Sequence, residues 1–74
     1  MPSIGQVVDQ GTEKSHAWKV TYVGGVGTNG VGVGIYRWYI EISDRSGTVV
    51  TFGYVAGDDP GPASRCAKHW AAAL

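Results

Sequence analysis

The sequence predicts an α+β fold, a three-stranded antiparallel β-meander with one C-terminal α-helix packed on one face, in the order β-β-β-α. Three observations lead there. Residues 16–23 and 35–43 alternate large apolar and polar side chains, the period of a half-buried strand. Asp44-Arg45-Ser46-Gly47-Thr48 carries the turn chemistry of a tight hairpin. Beyond Ala56 the apolar period lengthens to that of a helix.

With 74 residues the chain has room for a single domain and one small core. Residues 1–15 are polar and aperiodic, and read as a poorly structured segment or, around Ile4 to Val8, a short edge strand. In the first clear strand Trp18, Val20 and Tyr22 share one face, with Lys19 and Thr21 on the other. Residues 24–34 follow as a glycine-rich hairpin loop containing Asn29-Gly30. A two-residue turn there would pair Val20 with Tyr39 and mix the faces. Shifting by one residue pairs Val20 with Ile40 and Lys19 with Glu41, which restores the face and adds an ion pair. A bulge or a longer loop among the glycines would supply the shift.

The second strand sends Tyr36, Trp38, Ile40 and Ile42 to one face and Arg37, Tyr39 and Glu41 to the other. A type I turn with a left-handed glycine at Gly47 places Asp44 opposite Thr48. Counting outward, Ile42 meets Val50, Ile40 meets Phe52 and Trp38 meets Tyr54. The helix begins at Asp58-Asp59-Pro60, with Asp59 as N-cap and Pro60 at its first position. Ala63, Cys66, Ala67, Trp70, Ala71 and Leu74 form its apolar stripe, while Arg65, Lys68 and His69 lie away from it. Ile40, Phe52 and Trp70 are expected to share one core.

Composition restricts the function. The single cysteine, Cys66, excludes an intramolecular disulfide and a cysteine-based zinc site, and fits a reducing compartment. The first residues do not read as a signal peptide, and no apolar stretch approaches the roughly 20 residues of a spanning helix. Six basic residues balance six acidic ones, so the strong positive excess of most duplex-binding domains is missing and free nucleic acid is not expected as a partner.

Candidate chemistry is sparse. Gly25-Val26-Gly27-Thr28-Asn29-Gly30 spells a dinucleotide motif, but a strand follows it where phosphate binding needs a helix N-terminus. The only two histidines, His16 and His69, lie in different elements, without a second ligand at metal spacing. Cys66 sits on the apolar stripe with no base indicated beside it. Asp58 and Asp59 are explained by helix capping. No enzyme activity, cofactor or metal is expected.

The outer sheet face says more. Lys19, Arg37, Tyr39 and Thr51 combine charge, an aromatic ring and a hydroxyl, with Val23, Ile35, Val49 and Val55 beside them. A face this apolar should meet a partner or a second copy of the chain, as a homodimer. The partner-binding residues expected from this reasoning are Lys19, Arg37, Tyr39, Val49 and Val55, centred on Arg37 and Tyr39.

Trp38-Tyr39-Ile40-Glu41-Ile42 and Asp44-Arg45-Ser46-Gly47 lead into Ala56-Gly57-Asp58-Asp59-Pro60-Gly61-Pro62-Ala63 and an alanine-rich helix. Over residues 36–74 this resembles small phage-encoded anti-CRISPR proteins of the type I inhibitors. The group is diverse, so no binding residue carries over. The resemblance implies a stoichiometric, non-enzymatic inhibitor in the cytoplasm of a bacterial host cell, with a CRISPR-Cas effector subunit as its protein partner. A second reading, a small nucleic-acid-binding module, comes from the similarity of sheet plus helix to a truncated double-stranded-RNA-binding domain. Against it stand the missing first helix, the zero net charge, and Asp58 and Asp59 where a lysine cluster belongs. A third is a structural role in a phage particle. The inhibitor reading ranks first.

Overall fold

The computed structural model describes residues 2–27 and 35–74. Four strands and one helix follow in order: β1 (Val7–Glu13), β2 (His16–Gly27), β3 (Ile35–Ser43), β4 (Val49–Ala56) and α1 (Gly61–Ala73). The sheet is antiparallel with spatial order β1-β2-β3-β4. The α+β class and the C-terminal helix are those the sequence predicts, but there are four strands where three are expected.

The extra strand is β1, which begins within the residues 4–8 read as an alternative short edge strand, runs on to Glu13, and pairs with β2 from Val7↔Thr21 to Glu13↔His16. Its two-residue turn, Lys14-Ser15, contains no glycine, asparagine or proline, and Lys14 takes a φ of 57°. That is the left-handed region a lysine rarely enters. A bulge interrupts the pairing between Val7 and Asp9, and Val8 packs against the core. Before the strand, the Gly5 amide donates to the Tyr22 carbonyl at 2.8 Å and the Tyr22 amide to the Gln6 carbonyl at 2.9 Å.

The β2–β3 register agrees with expectation, with Val20 opposite Ile40 and Lys19 opposite Glu41. The pairing shifts between Tyr22 and Val26 beside Gly24, whose φ is 77°. Strand β2 thus continues to Gly27 through the first part of the expected loop. Residues 28–34, with the Asn29-Gly30 dipeptide, lie outside the described residues.

The β3–β4 turn forms as predicted. The Asp44 amide donates to the Thr48 carbonyl at 2.9 Å, the Gly47 amide donates to the Asp44 carbonyl at 3.1 Å, and Gly47 has φ 88°. Asp44 Oδ1 also accepts from the amides of Ser46 (2.9 Å) and Thr48 (3.1 Å) and from the Ser46 hydroxyl (2.6 Å). These bonds hold its carboxyl below the ordinary carboxylate range, the Ser46 hydroxyl contributing most.

One step beyond the turn the expected register fails. A bulge between Ser43↔Val49 and Ile42↔Thr51 shifts β4 by one residue, so Ile40 meets Gly53 and Trp38 meets Val55. The shift turns every later β4 side chain over. Phe52 and Tyr54 lie outside the core, and Thr51, Gly53 and Val55 take the inner positions. The helix supplies the reason. A Cβ on Gly53 would stand 2.8 Å from the Trp70 ring, so glycine leaves the space that the indole fills.

The core gathers Trp18, Val20, Tyr22, Trp38, Ile40 and Ile42 under Ala63, Ala67 and Ala71. Small helix residues let α1 lie close on β1, β2 and β3. Cys66 and Trp70 flank the alanines half-buried, whereas Leu74 is exposed. Ile40 and Trp70 therefore share the core as expected, and Phe52 does not. The helix starts one residue later than expected. Pro60 caps it, its carbonyl accepts from the Ser64 amide at 2.9 Å, and Asp59 Oδ1 accepts from the Gly61 amide at 3.3 Å. The Trp38 indole Nε1 donates to the Gly57 carbonyl at 2.9 Å, fixing the connector between sheet and helix.

Candidate outer-face interface

The face of the sheet turned away from α1 carries a row of aromatic rings contributed by β3 and β4. Tyr39 stands 5.1 Å from Tyr54 and 6.1 Å from Phe52, and Tyr36 lies 6.1 Å from Tyr54, measured between ring centroids. All three contacts are tilted, the geometry in which ring edges meet ring faces. Two irregularities assemble this row. The bulge near Val50 brings Phe52 and Tyr54 outward, and a second one between Tyr36 and Trp38 brings Tyr36 alongside Tyr54. Phe52 remains 63% exposed and Tyr54 47%.

Beside the rings lies an ion pair. Lys19 Nζ is 3.6 Å from Glu41 Oε1, across the register pair that joins β2 to β3. The Tyr39 phenol is raised above its ordinary pKa, first by desolvation and then by the Glu41 carboxylate and Tyr54. It is therefore a neutral phenol at physiological pH. Next to this pair a shallow depression of about 330 Å³ runs over Gln10, Thr12, Ala17, Lys19, Glu41 and Ser43.

The five expected partner-binding residues do not all meet here. Lys19 and Tyr39 do. Val49 lies at the turn end of β4, exposed and opposite Ser43. Arg37 sits at the β3 irregularity, and its Nε is 3.3 Å from Asp58 Oδ1, so the connector engages its guanidinium. Val55 is a correction. It opposes Trp38 and packs against the core, because the β4 bulge inverts its face. Thr51 moves inward for the same reason, opposite Ile42. Sequence reasoning missed Tyr36, Phe52 and Tyr54. Phe52-Gly53-Tyr54 held a signal, since glycine between two large rings marks the crowded side of a strand.

The other candidates offer little chemistry. Among the described residues no three His, Cys, Asp or Glu side chains gather as a metal site would require. No helix there is long and apolar enough to cross a membrane. His16 has the Ser15 hydroxyl 3.4 Å from its Nδ1, and Cys66 is half-buried on the helix. Lys68 reaches back to place its ammonium 5.9 Å from the Trp18 ring, within cation–π range. Comparison with known protein families, curated proteins and solved structures finds no match for this chain.

Proposed function

We propose that this chain is a non-enzymatic binding protein whose outer sheet face engages a protein partner. One observation carries the reading. Four aromatic rings stand in a continuous row on the face that the helix does not cover. Tyrosine and phenylalanine supply large, rigid contact area at small entropic cost, and rows of this kind concentrate binding energy. Nucleic acid also stacks on aromatic sheets, but it needs unpaired cations along the same surface. Here Lys19 is paired with Glu41 and Arg37 with Asp58.

The resemblance to type I anti-CRISPR proteins makes the partner a subunit of a CRISPR-Cas effector and the chain a phage-type inhibitor. The test is an efficiency-of-plating assay in bacteria whose type I system restricts a phage. Expression of the chain should restore plaques, and a Tyr39→Ala, Phe52→Ala double variant of unchanged thermal stability should not. Continued restriction with the parent chain removes the inhibitor role. Equal activity of the double variant removes the aromatic row as the contact. Salt-sensitive micromolar binding to duplex RNA or DNA would favour the nucleic-acid reading.

A further inference from the structure

The two edges of the sheet are built differently, and the difference points to a partner for one of them. Edge strands expose unpaired amides and carbonyls, which proteins guard with charges, bulges or a covering element. Strand β1 has two of these protections and helix packing on its inner face. It carries Asp9 and Glu13, a bulge between Val7 and Asp9, and α1 packed against it. Strand β4, Val-Val-Thr-Phe-Gly-Tyr-Val-Ala, has neither a charge nor a proline along eight residues. Its one bulge lies at the turn end, leaving residues 51–55 regularly paired to β3. Among the described residues, four of the seven exposed large hydrophobics are on this strand, namely Val49, Val50, Phe52 and Tyr54. An apolar groove of about 440 Å³ runs along the same edge, lined by Thr51, Phe52, Trp70, Ala73 and Leu74.

We infer that β4 pairs antiparallel with β4 of a second copy, joining two sheets into one of eight strands. This goes beyond the proposed function, because the contact is the edge and not the aromatic face. The strand is compatible with itself. With Gly53 opposite Gly53 of the other copy, Phe52 of each meets Tyr54 of the other on the outer face, and Thr51 meets Val55 on the inner. Aromatic–aromatic and β-branched cross-strand pairs of this kind stabilise antiparallel sheets. No like charges oppose each other, because the strand has none. A β1–β1 contact would instead bring acidic residues together, and a β4–β1 contact is heterologous and gives a ring or a filament, not a two-fold dimer. Closure by a two-fold axis also extends the aromatic row across both copies.

Sedimentation equilibrium tests the pairing. Up to about 1 mM, the weak end of measurable association, the parent chain should reach twice its 7.8 kDa mass. Thr51→Lys, which places a charge on the edge against Val55 of the other copy, should sediment as a single chain. Tyr39→Ala, on the face but not the edge, should remain dimeric. Amide exchange on the parent chain gives a second readout, with protection in residues 51–55 rising with protein concentration. A parent chain that stays at 7.8 kDa, with β4 exchange independent of concentration, overturns the inference. So does a dimer that Tyr39→Ala dissolves and a folded Thr51→Lys does not. None of these outcomes depends on the plating assay.

Discussion

Each edge strand of this sheet seats a glycine beneath a tryptophan, and the two arrangements differ in how much the tryptophan can yield. On β1, a Cβ at Gly11 would stand 2.8 Å from the Trp18 ring, which is only 3% exposed and lies within the core. On β4, a Cβ at Gly53 would be equally close to Trp70, but that indole is half-buried and borders the open groove near Leu74. The same glycine therefore serves two ends. One lets a strand lie against a fixed core ring, and the other lets the helix dock a ring at the margin.

The largest effect should come from exploiting this contrast. Gly11→Ala should destabilise by about 2–3 kcal/mol, near the upper range for overpacking a core, because Trp18 has nowhere to go. Gly53→Ala should cost about 1 kcal/mol, as Trp70 swings toward the groove. Thermal melts of the two variants side by side measure the difference. Equal losses would mean that Trp70 is held as firmly as Trp18, and the distinction between the edges would fall.

A smaller effect is expected at Phe52. The sequence reading places it in the core, where truncation costs about 3–5 kcal/mol. At 63% exposure on the outer face, Phe52→Ala should instead cost less than about 1 kcal/mol. Chemical denaturation decides between the two values, and a loss in the higher range would restore the unbulged register.

The smallest effect is confined to acid and sharpens the account of β4's entry turn. The Asp44 carboxyl is lowered in the fold from 3.8, so its bonds contribute fully above that pH. The contribution is lost as pH falls from 3.8 through the lower folded value. Melting temperatures of the parent and Asp44→Ala should differ at neutral pH and converge below 3.8. A gap that persists in acid would show that the carboxylate's charge is not what holds the turn.

These contrasts also explain what the sequence disclosed. The Val20↔Ile40 register was legible because a one-residue shift restores both faces and sets Lys19 against Glu41. The Asp44–Thr48 turn was legible from its own residues, and the alanine stripe from its helical period. Strand β1 was legible only as an alternative short edge strand over residues 4–8, because its polar residues sit on a solvent edge and its turn depends on a strained Lys14 in place of a turn-forming residue. The β4 register escaped for a different reason. Maximising apolar contact on one face favours Phe52 inward, but the inner site is already claimed by Trp70, a residue from the next element. Local pattern could locate Lys19 and Tyr39 on the candidate face. It could not exchange Val55 for Phe52 and Tyr54 without the helix in place.

The sealing of the core by α1 has a consequence for folding. Because the strands lie in space in the order they occur in the chain, each pairs with its neighbour in sequence, and local pairings of this kind favour fast folding. The helix, however, follows all four strands. A chain whose sheet forms before α1 docks exposes the inner faces of Trp18, Trp38, Ile40 and Ile42. A chain shortened to end before α1 should therefore keep that apolar surface exposed and lose soluble yield.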